Sequence, residues 1–146
     1  MTQPSFFLRL YNSTLNSEIE TNLRLAANQN QPNDHEGFFI KLISVGLVAY
    51  VYDIAWAYIY KSQMLLLMEL NRRMMPLLEV RPYYDTAAEA YPAVYKNYSF
   101  EQWLNWIKAS YLIIQHPSNM VEITARGRDF LKYLVHLGRY VDDKTC

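Results

Sequence analysis

Residues 99–131 read SFEQWLNWIKASYLIIQHPSNMVEITARGRDFL, and the pattern of this stretch predicts the fold of the C-terminal half of the chain. Ser99, followed three residues later by Gln102, is the capping-box pattern of a helix N-terminus. Apolar residues then recur at helical spacing, which predicts a helix over residues 99–112 with one buried stripe. The residues of this predicted stripe are Phe100, Trp103, Leu104, Ile107 and Tyr111.

Two short β-type runs follow this helix, at residues 112–115 and 120–123, and a turn-forming segment separates them. Such a pair predicts a two-stranded hairpin. Thr124 then has the character of a helix N-cap, and the apolar spacing after it predicts a C-terminal helix that ends at Gly138. The sequence therefore predicts the order helix, hairpin, helix.

The run VEITARGRDFL at residues 121–131 resembles the exit from the wing in many bacterial winged helix-turn-helix proteins: a strand, Thr, two residues, Gly-Arg, one residue and Phe-Leu. The resemblance covers residues 57–140. It implies a mainly α fold, in which a winged-helix-like domain has three helices, a two-stranded wing and a C-terminal helix. Residues 57–73 would supply the first helix and residues 79–97 the second, while residues 141–146 would form a tail.

The winged-helix resemblance implies a function as well as a fold. In that family the helix before the wing lies in the DNA major groove, so the resemblance implies a dimeric, transcription-regulator-like module that binds DNA. The residues that could contact bases or phosphates are Gln102, Asn105, Lys108, Arg126, Arg128 and Lys132. Glu101 opposes the phosphates, and the wing tip at residues 116–119 has no Lys or Arg, so we expect weak and strongly salt-sensitive binding.

Trp106 favours a different function for the same domain. It lies roughly 100° from the predicted buried stripe on a helical wheel, and an exposed Trp is more typical of a protein contact than of a base contact. Packing under the wing or against residues 82–95 is the structural alternative, and stacking on nucleic acid is a third. The alternative function is therefore a winged helix used for protein–protein interaction, with Trp106 at the partner-binding site.

The N-terminal extension contains the most apolar part of the chain. Residues 37–57 read GFFIKLISVGLVAYVYDIAWA, with only Lys41 and Asp53 charged. A helix formed by this run would be hydrophobic on every side, and such a helix is buried in protein or in lipid. We expect residues 1–56 to form a hydrophobic helical extension that mediates dimerisation.

A membrane association of residues 38–60 is the alternative for this extension. Arg72 and Arg73 follow the segment, which predicts a single inner-membrane span with the C-terminal domain in the cytoplasm. Asp53 argues against a span, because a carboxylate at that depth costs about 2.5–3.5 kcal/mol on insertion scales. Residues 1–9 lack the pattern of a signal peptide, so without a span we expect a cytoplasmic protein.

Composition and charge limit the function further. The 146 residues fit one domain with an appendage, and 14 basic against 14 acidic residues argue against a strongly basic nucleic-acid coater. A single cysteine, Cys146, excludes an internal disulfide, and we expect it to lie in a frayed tail. No nucleophile motif, phosphate loop or HExxH metal motif occurs. We therefore predict a protein that is not an enzyme and has neither a cofactor nor a bound metal.

Overall fold

Helices make up most of residues 14–30 and 33–146, which is the part of the chain that the computed structural model describes. The chain divides into two units, Met1–Tyr50 and Val51–Cys146, so the boundary lies before the predicted start of the winged-helix-like domain at residue 57. The predicted absence of a signal peptide concerns residues 1–9, which lie outside the described residues.

The described part of the first unit contains helix α1 (Thr14–Asn30) and the beginning of helix α2 (His35–Tyr58). Asp34 precedes α2, and its carboxylate accepts the backbone N–H of Gly37 at 2.9 Å, which satisfies one of the free donors at the helix N-terminus. The apolar run is therefore helical, as predicted. Almost all side chains from residue 40 to residue 51 are exposed.

In the second unit, the last turns of α2 are followed by helix α3 (Lys61–Leu70). The prediction of one helix from residue 57 to residue 73 is wrong, because the chain is extended at Tyr60, with φ −80° and ψ 157°. The side chain of Gln63 accepts the backbone N–H of Tyr60 at 2.9 Å and so closes the N-terminus of α3. Tyr is not a residue that signals a helix N-cap, so no local pattern indicated this break.

The remaining elements form a mainly helical arrangement with a small sheet. They are β1 (Met75–Pro76), α4 (Leu77–Ala90), α5 (Pro92–Tyr95), α6 (Phe100–Ala109), β2 (Ile113–Gln115), β3 (Met120–Ile123), α7 (Ala125–His136) and a 3₁₀ turn (Val141–Asp143). The strands are antiparallel in the order β1-β3-β2. The mainly α class and the hairpin are confirmed, but the sheet has three strands where two were predicted. The third strand, β1, was missed because two residues cannot display an alternating pattern.

Both predicted helix caps are present. The backbone N–H of Gln102 donates to the hydroxyl of Ser99 at 3.2 Å, and the Gln102 side chain accepts the N–H of Ser99 at 2.9 Å. The hydroxyl of Thr124 accepts the N–H of Gly127 at 3.0 Å. Helices α6 and α7 thus begin where local sequence chemistry places them.

The predicted stripe of α6 is buried, with one exception. Its buried members are Phe100, Trp103, Leu104 and Ile107. Tyr111 is exposed, and the prediction of its burial is wrong because α6 ends at Ala109 and Tyr111 adopts a left-handed φ of 58°. That conformation turns the chain out of the helical path before β2 begins.

A buried polar network joins α3 to α6. Gln63 is fully buried and donates to the carbonyl oxygen of Trp103 at 2.9 Å. Ser62 accepts the indole N–H of Trp103 at 3.0 Å, and its hydroxyl is 2.8 Å from that of Tyr95. A buried polar group without a partner costs about 1–3 kcal/mol, so this network fixes which faces of the two helices meet. Burial raises the pKa of Tyr95 above its ordinary value.

The segment after α7 packs on the domain, so the expectation of a frayed end at Cys146 is wrong. The backbone N–H of Lys61 donates to the carbonyl oxygen of Cys146 at 2.9 Å, and the Lys61 ammonium pairs with Asp142 at 2.9 Å. Lys144 donates to the carbonyl oxygen of Trp56 and lies over its ring, 4.6 Å from the centroid. Burial lowers the pKa of Lys144 below its ordinary value.

Candidate interaction surfaces

The outward face of α6 is polar but not basic. Gln102 and Asn105 are exposed, as predicted for residues that could contact bases. Exposed Glu101 lies beside them, and hydrogen bonds to the backbone and to Ser99 lower its pKa, which keeps the carboxylate ionised. Lys108 is half-buried and donates to the side-chain oxygen of Gln115 at 3.1 Å. This face therefore offers amide groups to a ligand, with no excess of positive charge.

The three cations that were predicted to contact DNA after the hairpin all have partners within the chain. Arg126 lies over the ring of Tyr111, 5.6 Å from its centroid. Arg128 donates to both the backbone and the side-chain oxygen of Asn71, each at 3.2 Å. The Lys132 ammonium pairs with a carboxylate three residues earlier on α7, at 3.2 Å. These contacts are exposed, so a stronger anionic ligand could replace them at little cost.

Two of these cations share a face with a histidine that was not predicted as part of a site. Arg128, Lys132 and His136 recur every four residues and line an open cavity of about 470 Å³ on α7, together with Asn71. The four-residue spacing is the sequence signal that could have identified this basic stripe. The six predicted DNA contacts therefore divide between α6 and α7, and Arg126 lies apart from the stripe.

Trp106 is half-buried and does not project freely into solvent. With Tyr52, Ala55 and Leu112 it lines a small apolar cavity of about 170 Å³. Tyr52 and Ala55 belong to the last turns of α2, which sequence analysis could not place near α6. This environment favours packing over full exposure, but the neighbours of Trp106 lie on α2 and at the base of the hairpin, and not within residues 82–95.

The hairpin tip, residues 117–119 with His116 beside it, has no Lys or Arg. Next to the tip, the His116 ring lies 3.0 Å from the carboxylate of Glu122. The His116 ring therefore already has a partner within the hairpin. The tip offers little to a phosphate backbone.

Helix α2 carries the most extensive exposed apolar surface among the described residues. Five of its large apolar side chains are between 41% and 63% exposed: Ile40, Ile43, Leu47, Tyr50 and Ile54. By length and composition alone the helix could cross a membrane, with a mean hydropathy of 1.8 over its most apolar window. Only Tyr52 and Ala55 on α2 are buried.

The charged residue near the end of α2 is tied to the C-terminal domain. The carboxylate of Asp53 pairs with Arg139 at 2.6 Å and accepts the hydroxyl of Tyr133 at 2.9 Å. These hydrogen bonds lower the pKa of Asp53. Nearby, the hydroxyl of Tyr52 donates to the carbonyl oxygen of Arg126 at 3.3 Å. The last turns of α2 are therefore an integral part of the second unit.

A further cavity, of about 510 Å³, lies between α3 and α4. Its walls are mainly apolar and include Leu65, Pro82, Tyr83 and Tyr91. Lys61 is the one charged side chain among its lining residues, and it is already paired with Asp142. Within residues 14–30 and 33–146, no three His, Cys, Asp or Glu side chains are grouped so that they could hold a metal ion.

No family model, curated protein or solved structure matches this chain. The winged-helix resemblance therefore rests on the chain's own residues and on the order of its elements. The role of each surface rests on its chemistry.

Proposed function

We propose that the protein is a non-enzymatic module for protein–protein interaction, built on a winged-helix-like domain and assembled through helix α2. The exposed apolar surface of α2 is the observation that carries this proposal. Large contiguous apolar patches are rare on monomeric proteins and usually mark a contact with protein or membrane.

The order of the elements supports the winged-helix-like interpretation of the domain. A first helix (α3), a short strand (β1), two further helices (α4 and α6), a hairpin and a closing helix follow one another. Strand β1 pairs with β3 at one edge, so the hairpin and the segment after the first helix share one sheet. The order of the helices and the hairpin agrees with the order that the resemblance implies, with the hairpin as the wing, whereas β1 is additional to the two-stranded wing that it implies.

A protein partner covers α2 better than a lipid bilayer does. Because Asp53 is held by Arg139, and Tyr52 is buried, the end of the helix belongs to the domain. The apolar run left for lipid extends from Phe38 to Tyr50, which is about 20 Å at 1.5 Å per residue. A hydrocarbon core is about 30 Å thick, so this run is too short to cross it. Lys41 lies within the run, and placing its charge in the hydrocarbon core would add a further free-energy cost.

Site-specific photo-crosslinking in cells tests whether protein covers α2. Leu47 is replaced by p-benzoylphenylalanine, and Leu78, which is 86% exposed on α4, is replaced in the same way as the control. We expect discrete protein adducts from position 47 and none from position 78. We also expect alkaline carbonate to release the protein from membranes. Absence of adducts at position 47, with retention in the carbonate pellet, would show that lipid covers the helix.

DNA binding is the second candidate function, and the exposed amide of Asn105 favours it, whereas the side-chain oxygen of Gln102 already accepts the N–H of Ser99. Amide side chains on a helix that enters the major groove can form paired hydrogen bonds with adenine. Arg128 and Lys132 could add phosphate contacts, but Glu101 and the uncharged wing tip weaken the attraction. We therefore expect any binding to be weak and strongly dependent on salt.

Fluorescence anisotropy with random-sequence duplex DNA tests this second function. If it is correct, replacing Arg128 and Lys132 by Ala reduces the slope of log affinity against log salt by about 2. Replacing Arg24 and Lys41 by Ala removes the same charge from α1 and α2 and leaves the slope unchanged. Absence of binding at low salt would eliminate the DNA function, because non-specific affinity is electrostatic.

A further inference from the structure

We propose that the basic stripe of α7, formed by Arg128, Lys132 and His136, binds an acidic protein segment. The segment that fits is a helix with carboxylates one turn apart and an apolar side chain beside them. This inference rests on the proposed function, because it names the chemistry of a partner for the interaction module. The stripe belongs wholly to the second unit of the chain.

The guanidinium of Arg128 is held in place with one edge free. Its Nη1 donates to the backbone and the side-chain oxygen of Asn71, each at 3.2 Å. Among residues 14–30 and 33–146, no group accepts a hydrogen bond from its Nε or Nη2. These two groups carry parallel N–H bonds that match the two oxygens of one carboxylate. Because Asn71 already orients the side chain, little rotamer freedom is lost when a carboxylate binds.

The second cation of the stripe lies one helical turn further along α7. Lys132 follows Arg128 by about 6 Å along the helix axis at 1.5 Å per residue. Its ammonium uses one of three donors on Asp129, at 3.2 Å, in a pair that is mostly exposed. Such a pair contributes little to stability, so a second carboxylate can share the ammonium at little cost. His136 is exposed one turn later and adds a ring N–H donor, so the stripe matches carboxylates that recur every turn of a partner helix.

Apolar side chains lie beside the cations. Leu131 and Val135 line the same cavity of about 470 Å³ as the basic stripe. Val135 is 68% exposed, whereas Leu131 is half-buried and packs on the core. Protein interfaces typically combine an apolar centre with polar and charged contacts at the rim. A phosphate backbone would leave the apolar side chains unused, so a protein segment fits this surface better than DNA does.

The attraction for an acidic segment is local to this face. The whole chain has 14 basic and 14 acidic residues and a formal net charge of zero. No Asp or Glu is among the residues that line the cavity on α7. Because salt screens exposed charges beyond about 10 Å at 0.1 M ionic strength, binding of an acidic peptide reports on the nearby cations and not on the chain as a whole.

Fluorescence anisotropy of a labelled peptide with the purified full chain tests the inference. The probe is a fluorescein-labelled helix of repeated Glu-Ala-Ala-Leu units, which places carboxylates one turn apart with Leu beside them. We expect saturable binding to the native chain. The double variant Arg128→Gln, Lys132→Gln should bind about 100-fold more weakly, or about tenfold for each charge-assisted pair.

The matched control is Arg81→Gln, Lys96→Gln, which removes one exposed Arg and one exposed Lys from elsewhere in the second unit. It should bind the probe as the native chain does. Absence of binding to the native chain, or an equal loss in both double variants, would overturn the inference.

A double-mutant cycle tests the orientation of Arg128 by Asn71, and it stays informative if a variant loses some stability. Asn71→Ala should weaken probe binding about fivefold in the native background, because the guanidinium is no longer held. In an Arg128→Gln background the same substitution should have no effect. The same loss in both backgrounds would contradict a pre-oriented guanidinium.

The apolar side chain separates a protein partner from a phosphate backbone. Val135→Ser should weaken binding of the Glu-Ala-Ala-Leu probe and leave binding of a Glu-Ala-Ala-Ser probe unchanged. If random-sequence duplex DNA binds more tightly than either probe, and Val135→Ser changes none of the affinities, the stripe is a phosphate-binding surface and the inference is overturned.

The outcomes distinguish this inference from the proposed function. A native chain that does not bind the acidic probe but forms protein adducts at position 47 in cells overturns the acidic partner and leaves the interaction module intact. Probe binding that is lost with the stripe, without adducts at position 47, supports the acidic partner and removes α2 as the contact surface.

Discussion

Helices α2 and α6 are both rich in apolar residues, but the structure uses them in opposite ways. Helix α6 places Phe100, Trp103 and Ile107 on one side, and the domain buries all three. Helix α2 places apolar residues on every side, and only Tyr52 and Ala55 are buried. Hydrophobicity alone therefore does not predict burial within one chain. The distribution around the helix decides whether neighbouring elements can cover it.

The largest expected effect comes from truncating one apolar side chain in each region. Phe130→Ala in the core should lower the free energy of unfolding by about 3–5 kcal/mol, because Phe130 is fully buried and its ring packs against Tyr52. Leu47→Ala on α2 should change the free energy of unfolding by no more than about 0.5 kcal/mol, since that side chain is exposed. Urea unfolding followed by Trp fluorescence, at several protein concentrations, measures both. If both variants lowered the free energy of unfolding equally at every protein concentration, the two regions would not differ in burial.

Two helical glycines provide a sharper comparison with a smaller effect. A methyl group on Gly127 would overlap the carbonyl oxygen of Leu112 and the side chain of Ile123. Gly127→Ala should therefore destabilise the domain by about 1–3 kcal/mol.

Gly46→Ala on α2 is the control, because nothing lies within 4 Å of the added carbon. It should stabilise the helix by about 0.5–1 kcal/mol, the usual difference between Gly and Ala in a helix interior. Thermal unfolding followed by circular dichroism compares the two variants. A gain of stability from Gly127→Ala would mean that α7 and the start of β2 are not in close contact.

The smallest expected effect is the pH dependence of the link between α2 and the C-terminal domain. The pKa of Asp53 is lowered by its hydrogen bonds to Arg139 and Tyr133. The stabilisation is therefore complete above the ordinary aspartate pKa of about 4. It is lost as the pH falls through the lower folded-state value. Asp53→Asn should be slightly less stable than the native chain at neutral pH and should converge with it in acid.

Unfolding at a series of pH values measures this difference. Asp142→Asn serves as the control, because Asp142 is more exposed and its pair with Lys61 should contribute less. The free energies of unfolding of the native chain and of Asp53→Asn would then be compared at each pH. If their difference stayed constant down to the most acidic pH, lost packing and not charge would explain the effect.

The features of the candidate surfaces that could be predicted depend on residues close together in the sequence. The exposure of Gln102 and Asn105 followed from their positions opposite the stripe of α6, and that stripe followed from helical spacing. The environment of Trp106 could not be predicted in the same way, because the residues beside it, Tyr52 and Ala55, lie about fifty positions earlier in the sequence. Helical periodicity places a side chain on a face, but it does not say what covers that face.

Local sequence was sufficient to predict the features that depend on neighbours along the chain: the caps at Ser99 and Thr124, the hairpin, and the apolar helix α2. Each is fixed by hydrogen bonds or spacing within a few residues, so the local pattern is sufficient. The features that join distant segments depend on the tertiary packing. Asp53 finds Arg139 across 86 positions, and β1 becomes a strand because β3 is beside it. Such partners are chosen by the packing of the whole domain, which no local pattern encodes.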